Sequence, residues 1–180
     1  YVVLSSDHGV LPLNFEVRLN NFFAQKGWLK FSENKETGLL QIDWSRTKVV
    51  FLNMNHVFLK PEGLGGDYRP STGPAYEKFR REVADALRNL RDQEGGSPLE
   101  DLRTREQAIE WGLPGERIGD LVIANRAGYG WIEDVTKDSK VFASSLKGGY
   151  KQAILPDQNE GLWTPFLIVG PGVKAGHKIS

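Results

Sequence analysis

Aspartate and histidine stand side by side at Asp7-His8, with Gly9 next, directly after the apolar run Tyr1-Val2-Val3-Leu4 and the pair Ser5-Ser6. A carboxylate oxygen and an imidazole nitrogen are both ligands for a hard or borderline divalent ion, zinc foremost, with manganese also suited. Adjacent side chains on a regular strand point to opposite faces, so the two can share a cation only if the strand stops here and a turn begins. Gly9 permits backbone angles that tight turns use. The same three residues admit a plainer reading, in which Asp7 caps the next segment and His8 is an ordinary loop histidine. The preceding run reads as a buried strand, and the carboxyl end of a strand is where α/β proteins build sites.

Composition narrows what such a site would serve. Of 180 residues, 23 are Lys or Arg and 23 are Asp or Glu, so no global positive field draws in a nucleic acid duplex or an anionic membrane. A small anionic substrate would need local positive charge, and a metal supplies it. With 39% hydrophobic and 26% charged residues the chain is expected to be one soluble globular domain, residues 1–180, with a real core. No run approaches the roughly 18 apolar residues of a membrane span. Without cysteine there is no disulfide, thiol chemistry or thiolate-held zinc, and the compartment stays open between cytoplasmic and secreted. Because the chain opens within an apolar strand and stops just after Gly176-His177-Lys178-Ile179-Ser180, it is expected to be a fragment of a longer polypeptide.

The elements that must position Asp7 and His8 follow from periodicity and turn signals. A helix is predicted from about Asn14, as N-cap, to Lys26, stopped by Gly27, with Phe15, Leu19, Phe22 and Phe23 on one core-facing side. Trp28–Phe31 and Leu39–Ile42 read as strands of a hairpin, Lys48–Asn55 and Val57–Leu59 as two more, so that a β-rich insertion over about 32–72 is plausible. The glycines of Pro61–Asp67 are read as flexible punctuation, since they do not lead from a strand into a helix as a phosphate cradle would. Pro74 opens a helix running to about Arg91, with Tyr76, Phe79, Val83, Leu87 and Leu90 as its buried stripe and its charges solvated. Thr104 and Gln107 have the spacing of a capping box before a short helix. Asp120–Ala124 returns to strand, Gly128–Ile132 is a hairpin arm or bend, and Val141–Ala143 is a short strand. Trp163–Val169 reads as a second buried strand closed by Gly170-Pro171-Gly172.

Several of these pieces recur together, in this order, in a known family. They are Ser5-Ser6-Asp7-His8-Gly9, Ile42-Asp43-Trp44-Ser45-Arg46-Thr47-Lys48, Pro61-Glu62-Gly63, Tyr76-Glu77-Lys78-Phe79, Gly119-Asp120-Leu121-Val122-Ile123, and Trp163-Thr164-Pro165-Phe166 leading to Gly170–Gly176. The chain resembles the C-terminal half of type I phosphodiesterases and nucleotide pyrophosphatases of the alkaline phosphatase superfamily. That resemblance implies an α/β fold with a doubly wound, alkaline-phosphatase-like sheet. It also implies a metal-dependent phosphoester hydrolase acting on a small phosphate ester or nucleotide through a nucleophilic Thr or Ser flanked by divalent ions, commonly zinc. Carried over by position, Asp7 and His8 ligate the ion that also holds the nucleophile.

Two departures from the family pattern shape the expectation. The nucleophile and the remaining metal carboxylates lie upstream of this strand in the family, so the chain alone is expected to be inactive. The family also places a metal-ligating histidine shortly before the last core strand, whereas residues 148–162 contain none. Lys151 and Gln152 fall in that region, and the ammonium of Lys151 is read as a stand-in for the second ion that neutralises phosphate charge, against the plainer reading of a surface lysine. His56 is expected to be structural or exposed rather than a ligand, and His177 a surface residue.

Two other readings compete. One is a phosphoglycerate mutase-like member of the superfamily, and the other is a catalytically inactive binding pseudoenzyme that keeps the fold after losing a metal site. Ser-His-Asp catalysis fits poorly, because the candidate residues are sequence neighbours and no Gly-x-Ser-x-Gly elbow is present. No carboxylate pair stands out for glycosidase chemistry. Tyr129, Trp131 and Tyr150 offer rings to a nucleobase, though aromatics beside glycines more often pack at bends.

Overall fold

The computed structural model describes residues 1–52, 55–60, 70–113, 118–145 and 163–178, together with the backbone of 149–150. It shows a mixed α/β chain with several small sheets and few helices. In chain order the elements are β1 (Val2–Ser5), β2 (Leu11–Arg18), α1 (Leu19–Gln25), β3 (Phe31–Glu33), β4 (Leu40–Ile42), β5 (Val49–Leu52), β6 (His56–Leu59), α2 (Pro74–Arg88), β7 (Leu99–Thr104), α3 (Arg105–Glu110), β8 (Leu121–Asn125), β9 (Gly128–Ile132), β10 (Phe142–Ser144), β11 (Gly149–Tyr150) and β12 (Phe166–Val169). Among the described residues no helix is long and apolar enough to cross a membrane.

The core forms around an antiparallel sheet of order β5-β6-β8-β7. Val49, Val50, Phe51, Val57, Phe58, Leu59, Leu121 and Ile123 are buried in it, a continuous apolar pattern that requires cover on both faces. Helix α2 supplies part of that cover through Tyr76, Val83, Ala84 and Leu87, and Pro74 sits in its first turn as predicted. Trp28 and Phe79 meet edge to face, 5.7 Å between ring centroids, which joins the segment after α1 to α2. Strand β2 lies between β9, to which it is parallel, and β10, to which it is antiparallel, while β3 and β4 form a separate hairpin. Of the region from 32 to 72, β5 and β6 therefore belong to the main sheet and the β3–β4 hairpin does not.

Two buried polar centres tie these pieces together. The amide of Asn20, on α1, donates to the carbonyls of Phe51 (3.0 Å) and Glu133 (2.6 Å), and its oxygen accepts from Phe51 N–H at 2.8 Å. It thereby satisfies the edge of β5 much as a neighbouring strand would. Next to it, Asn21 holds Thr136 and the Lys140 carbonyl. The second centre is the carboxylate of Asp120, wholly buried just before β8. It accepts from Leu59 N–H at 2.6 Å and from the Tyr76 hydroxyl at 2.7 Å. The chain reaches it through Gly119, where an added Cβ would lie 2.9 Å from the carbonyl oxygens of both Val57 and Leu121, so no larger residue fits without a backbone shift.

Three expectations are corrected by these pairings. The helix predicted from Asn14 begins only at Leu19, because Leu11–Arg18 is strand β2. Leu13, Phe15 and Val17 alternate with Asn14, Glu16 and Arg18, and this period of two holds until the 3.6-residue spacing of Leu19, Phe22 and Phe23 takes over. Gly27 does stop the helix. Its N–H bonds to the Ala24 carbonyl, that of Trp28 bonds to the Phe23 carbonyl, and φ at Gly27 is +75°, the pattern of a Schellman motif. Secondly, β9 is not a hairpin arm beside β8 but the parallel partner of β2. Thirdly, the first and last strands are exposed rather than buried. Among the described residues they pair only with each other, Val2 with Val169 through Ser5 with Phe166, and Val2, Val3 and Leu4 are each more than half exposed. A ribbon of two strands has no second layer of its own to cover either face.

The polar centres generate two predictions. Tyr76→Phe leaves one oxygen of the buried Asp120 carboxylate without its hydroxyl donor and should lower stability by about 1–3 kcal/mol, read by urea denaturation. His56 provides the second. Its Nδ1 accepts from Gly119 N–H at 3.1 Å, and burial, reinforced by the charge of Arg105, holds its pKa below the ordinary value. The unfolded chain therefore takes up this proton first. The stability that His56 contributes is full above about pH 6.5 and declines as the pH falls below that value toward the lowered folded pKa. His56→Asn keeps an acceptor that does not titrate, so its denaturation midpoint should fall less steeply between about pH 7 and about pH 5 than that of the unaltered protein.

Candidate functional site

Strand β1 ends at Ser5, and the next three side chains fold into a compact turn. The Ser6 hydroxyl donates to the His8 carbonyl at 3.2 Å, and the His8 backbone N–H donates to Asp7 Oδ1 at 3.1 Å. His8 Nδ1 lies 2.6 Å from the Gly9 carbonyl oxygen. Because a carbonyl can only accept, the proton of this contact sits on Nδ1, and in the neutral imidazole Nε2 carries the lone pair. That nitrogen faces Asp7 Oδ2 at 3.5 Å.

The turn therefore brings the acid and the imidazole together, as a shared ligand requires. Gly9 contributes through its carbonyl, and the left-handed backbone angle that glycine allows is not used there. Two acceptor atoms facing each other at 3.5 Å have no proton between them to share when the ring is neutral. The separation is close to the ~3.3 Å edge of a tetrahedron whose ligands lie ~2.0 Å from its centre, so the donor set and its spacing fit a zinc ion. A ligating histidine commonly donates its other ring nitrogen to a carbonyl, and the contact to Gly9 fills that role. The His8 side chain is 26% exposed and that of Asp7 86%, so the pair opens to solvent on the carboxylate side.

The other sequence candidates fall elsewhere. Among the described residues no group of three or more His, Cys, Asp or Glu is placed to hold a metal ion. Lys151, Gln152 and the glycines of Pro61–Asp67 lie outside the described residues. His56 is engaged by Gly119, and His177 is exposed at the wall of a hollow of about 520 Å³ beside β12, lined also by Phe166, Ile168, Val173 and Lys174. Tyr129 stacks on Phe15 at 5.5 Å and donates its hydroxyl to Asp92 at 2.6 Å, and burial with that carboxylate pushes its pKa up to about 12. Trp131 is buried against Phe51. Both rings are packing residues, not a platform for a base. Sequence reasoning passed over Ser6, Asn20, Asn21 and the carboxylate of Asp120. Only the last had a visible signal, an acid set immediately before the apolar run Leu121-Val122-Ile123.

Comparison with known proteins places the chain in a family. The family model for type I phosphodiesterase / nucleotide pyrophosphatase matches residues 1–150, a span that holds Asp7 and His8 and most of the described core. The chain belongs to that family. No curated protein and no solved structure matches it.

The hydrogen bond to Gly9 has a direct spectroscopic consequence. Long-range ¹H–¹⁵N correlation of the neutral His8 ring should show the proton on Nδ1 and a free lone pair on Nε2, the reverse of the tautomer favoured by unconstrained histidine.

Proposed function

We propose that this chain serves a metal-dependent phosphoester hydrolase, a phosphodiesterase or nucleotide pyrophosphatase, whose substrate is a small phosphate ester or nucleotide. The observation that carries the proposal is the facing of His8 Nε2 and Asp7 Oδ2 at 3.5 Å within the span matched by the family. Asp7 and His8 would hold one divalent ion, zinc foremost and manganese as the alternative. The chemistry that such an ion supplies is neutralisation of charge on the phosphoryl oxygens and activation of an oxygen nucleophile.

Each residue of the turn has a distinct part in this reading. Asp7 lowers the net charge of the ion it binds and, with one oxygen already accepting from His8 N–H, presents the other in a fixed direction. His8 binds through Nε2 and is kept in the correct tautomer by Gly9. Lys151 is assigned the place of a second ion, neutralising phosphate charge, because residues 148–162 offer no histidine. The nucleophile is not assigned to a residue of this chain. The parent fold proposed for the domain is the doubly wound, alkaline-phosphatase-like sheet, with support from the family alone.

Hydrolysis of bis(p-nitrophenyl) phosphate by the intact polypeptide, nucleophile included, tests the reading. Activity should vanish on chelation and return with zinc, and Asp7→Asn or His8→Gln should each lower kcat/KM by at least about a hundredfold, as loss of a direct ligand exceeds loss of a supporting contact. Inactivity of a normally folded, zinc-loaded protein would instead favour a binding pseudoenzyme.

A further inference from the structure

We infer that Ser6 is the positioning residue of the Asp7–His8 pair, an inference that rests on the metal-binding reading of those two side chains. Three hydrogen bonds hold the turn after β1, and they are not equivalent. The bond from His8 N–H to Asp7 Oδ1 orients the carboxylate, and the contact from His8 Nδ1 to the Gly9 carbonyl orients the ring. Both are made by the candidate ligands themselves. Neither fixes the backbone between them.

Ser6 does so from outside the pair. Its hydroxyl reaches two residues forward to the His8 carbonyl at 3.2 Å. Holding that carbonyl closes the Ser6–His8 segment on itself and so restrains the backbone from which the side chains of both Asp7 and His8 project. Ser5 offers an internal comparison, since its hydroxyl lies 3.5 Å from the carbonyl of its immediate neighbour Ser6, at the outer limit of a hydrogen bond, and no bond from it to Asp7, His8 or Gly9 is formed among the described residues. Ser6 is exposed and leaves no cavity when truncated, so its loss should act on the geometry of the pair and not on global stability.

The test is zinc binding to the native protein by calorimetry, beside its thermal unfolding in the absence of metal. Ser6→Ala should weaken zinc affinity about three- to tenfold, below the range for a partner bonded directly to a ligand, with an unchanged Tm. Ser6→Thr, which restores the hydroxyl, should recover most of the loss, and Ser5→Ala should bind as the unaltered protein does. Unchanged affinity in Ser6→Ala, or an equal loss in Ser5→Ala, overturns the assignment of Ser6 while leaving the metal reading intact. Absence of zinc uptake by the unaltered protein overturns both.

Discussion

The carboxylate of Asp120 is the constraint on which the main body of this fold depends. A buried acid is expensive unless its oxygens are met by donors, and here the donors come from two elements that the chain must bring together across long separations. Leu59 N–H comes from β6 and the hydroxyl of Tyr76 from α2, while the Asp120 carbonyl accepts from Arg105 N–H at the start of α3 at 3.1 Å. One residue therefore registers a strand and two helices against β8. Burial and the neighbouring carboxylate push the Tyr76 pKa upward, which keeps it a donor throughout the working range of pH. Beyond Tyr76 the polar path continues outward. The Arg80 guanidinium lies over the tyrosine ring at 5.3 Å and makes paired bonds to Glu106, so the charge buried at Asp120 is linked by stages to solvated groups.

Much of the local structure is legible in sequence because its cause is local. Thr104 and Gln107 close a capping box with both bonds formed, Pro74 opens α2, and Gly27 ends α1 through two carbonyl contacts within one turn. Each of these signals acts within about four residues and needs nothing from the rest of the chain. The start of α1 is different, because residues 11–18 satisfy the period of a strand while Phe15, Leu19, Phe22 and Phe23 satisfy that of a helix. What decides between them is that Val17 finds Phe142 on one side and Trp131 on the other, partners more than a hundred residues away. Asn20 and Asn21 escape sequence reasoning for the same reason, as their carbonyl and amide partners are named only once β5 and the stretch after β9 are in place.

Exposure of the first and last strands is not legible in sequence for a further reason. Apolar composition records that a segment gains by leaving water, but it does not say that a layer exists to receive it. Among the described residues β1 pairs with no strand but β12, and the side chains of both strands stay exposed. The candidate site inherits this setting. Adjacency in sequence was enough to bring Asp7 and His8 forward as ligands, because a turn of a few residues is all that is needed to converge them. The hydroxyl of Ser6 was not visible in that way, since its use depends on where the His8 carbonyl points once the turn is made.

Exposure also bears on how strongly the pair can act. The attraction between a carboxylate and a divalent ion weakens steeply as the effective dielectric rises, and Asp7 is open to water over most of its side chain. Zinc in a tetrahedral setting takes four donors, of which Asp7 and His8 would supply two under the proposed reading, and among the described residues no further acid or imidazole stands close enough to complete a group of three. High affinity at this turn therefore requires additional donors that exclude water as well as coordinate. Under that condition the contribution of the turn is preorganisation. With tautomer, ring direction and carboxylate direction restrained by hydrogen bonds internal to Ser6–Gly9, an ion bound there would meet side chains already partly arranged, and less of the binding free energy would be spent on ordering them.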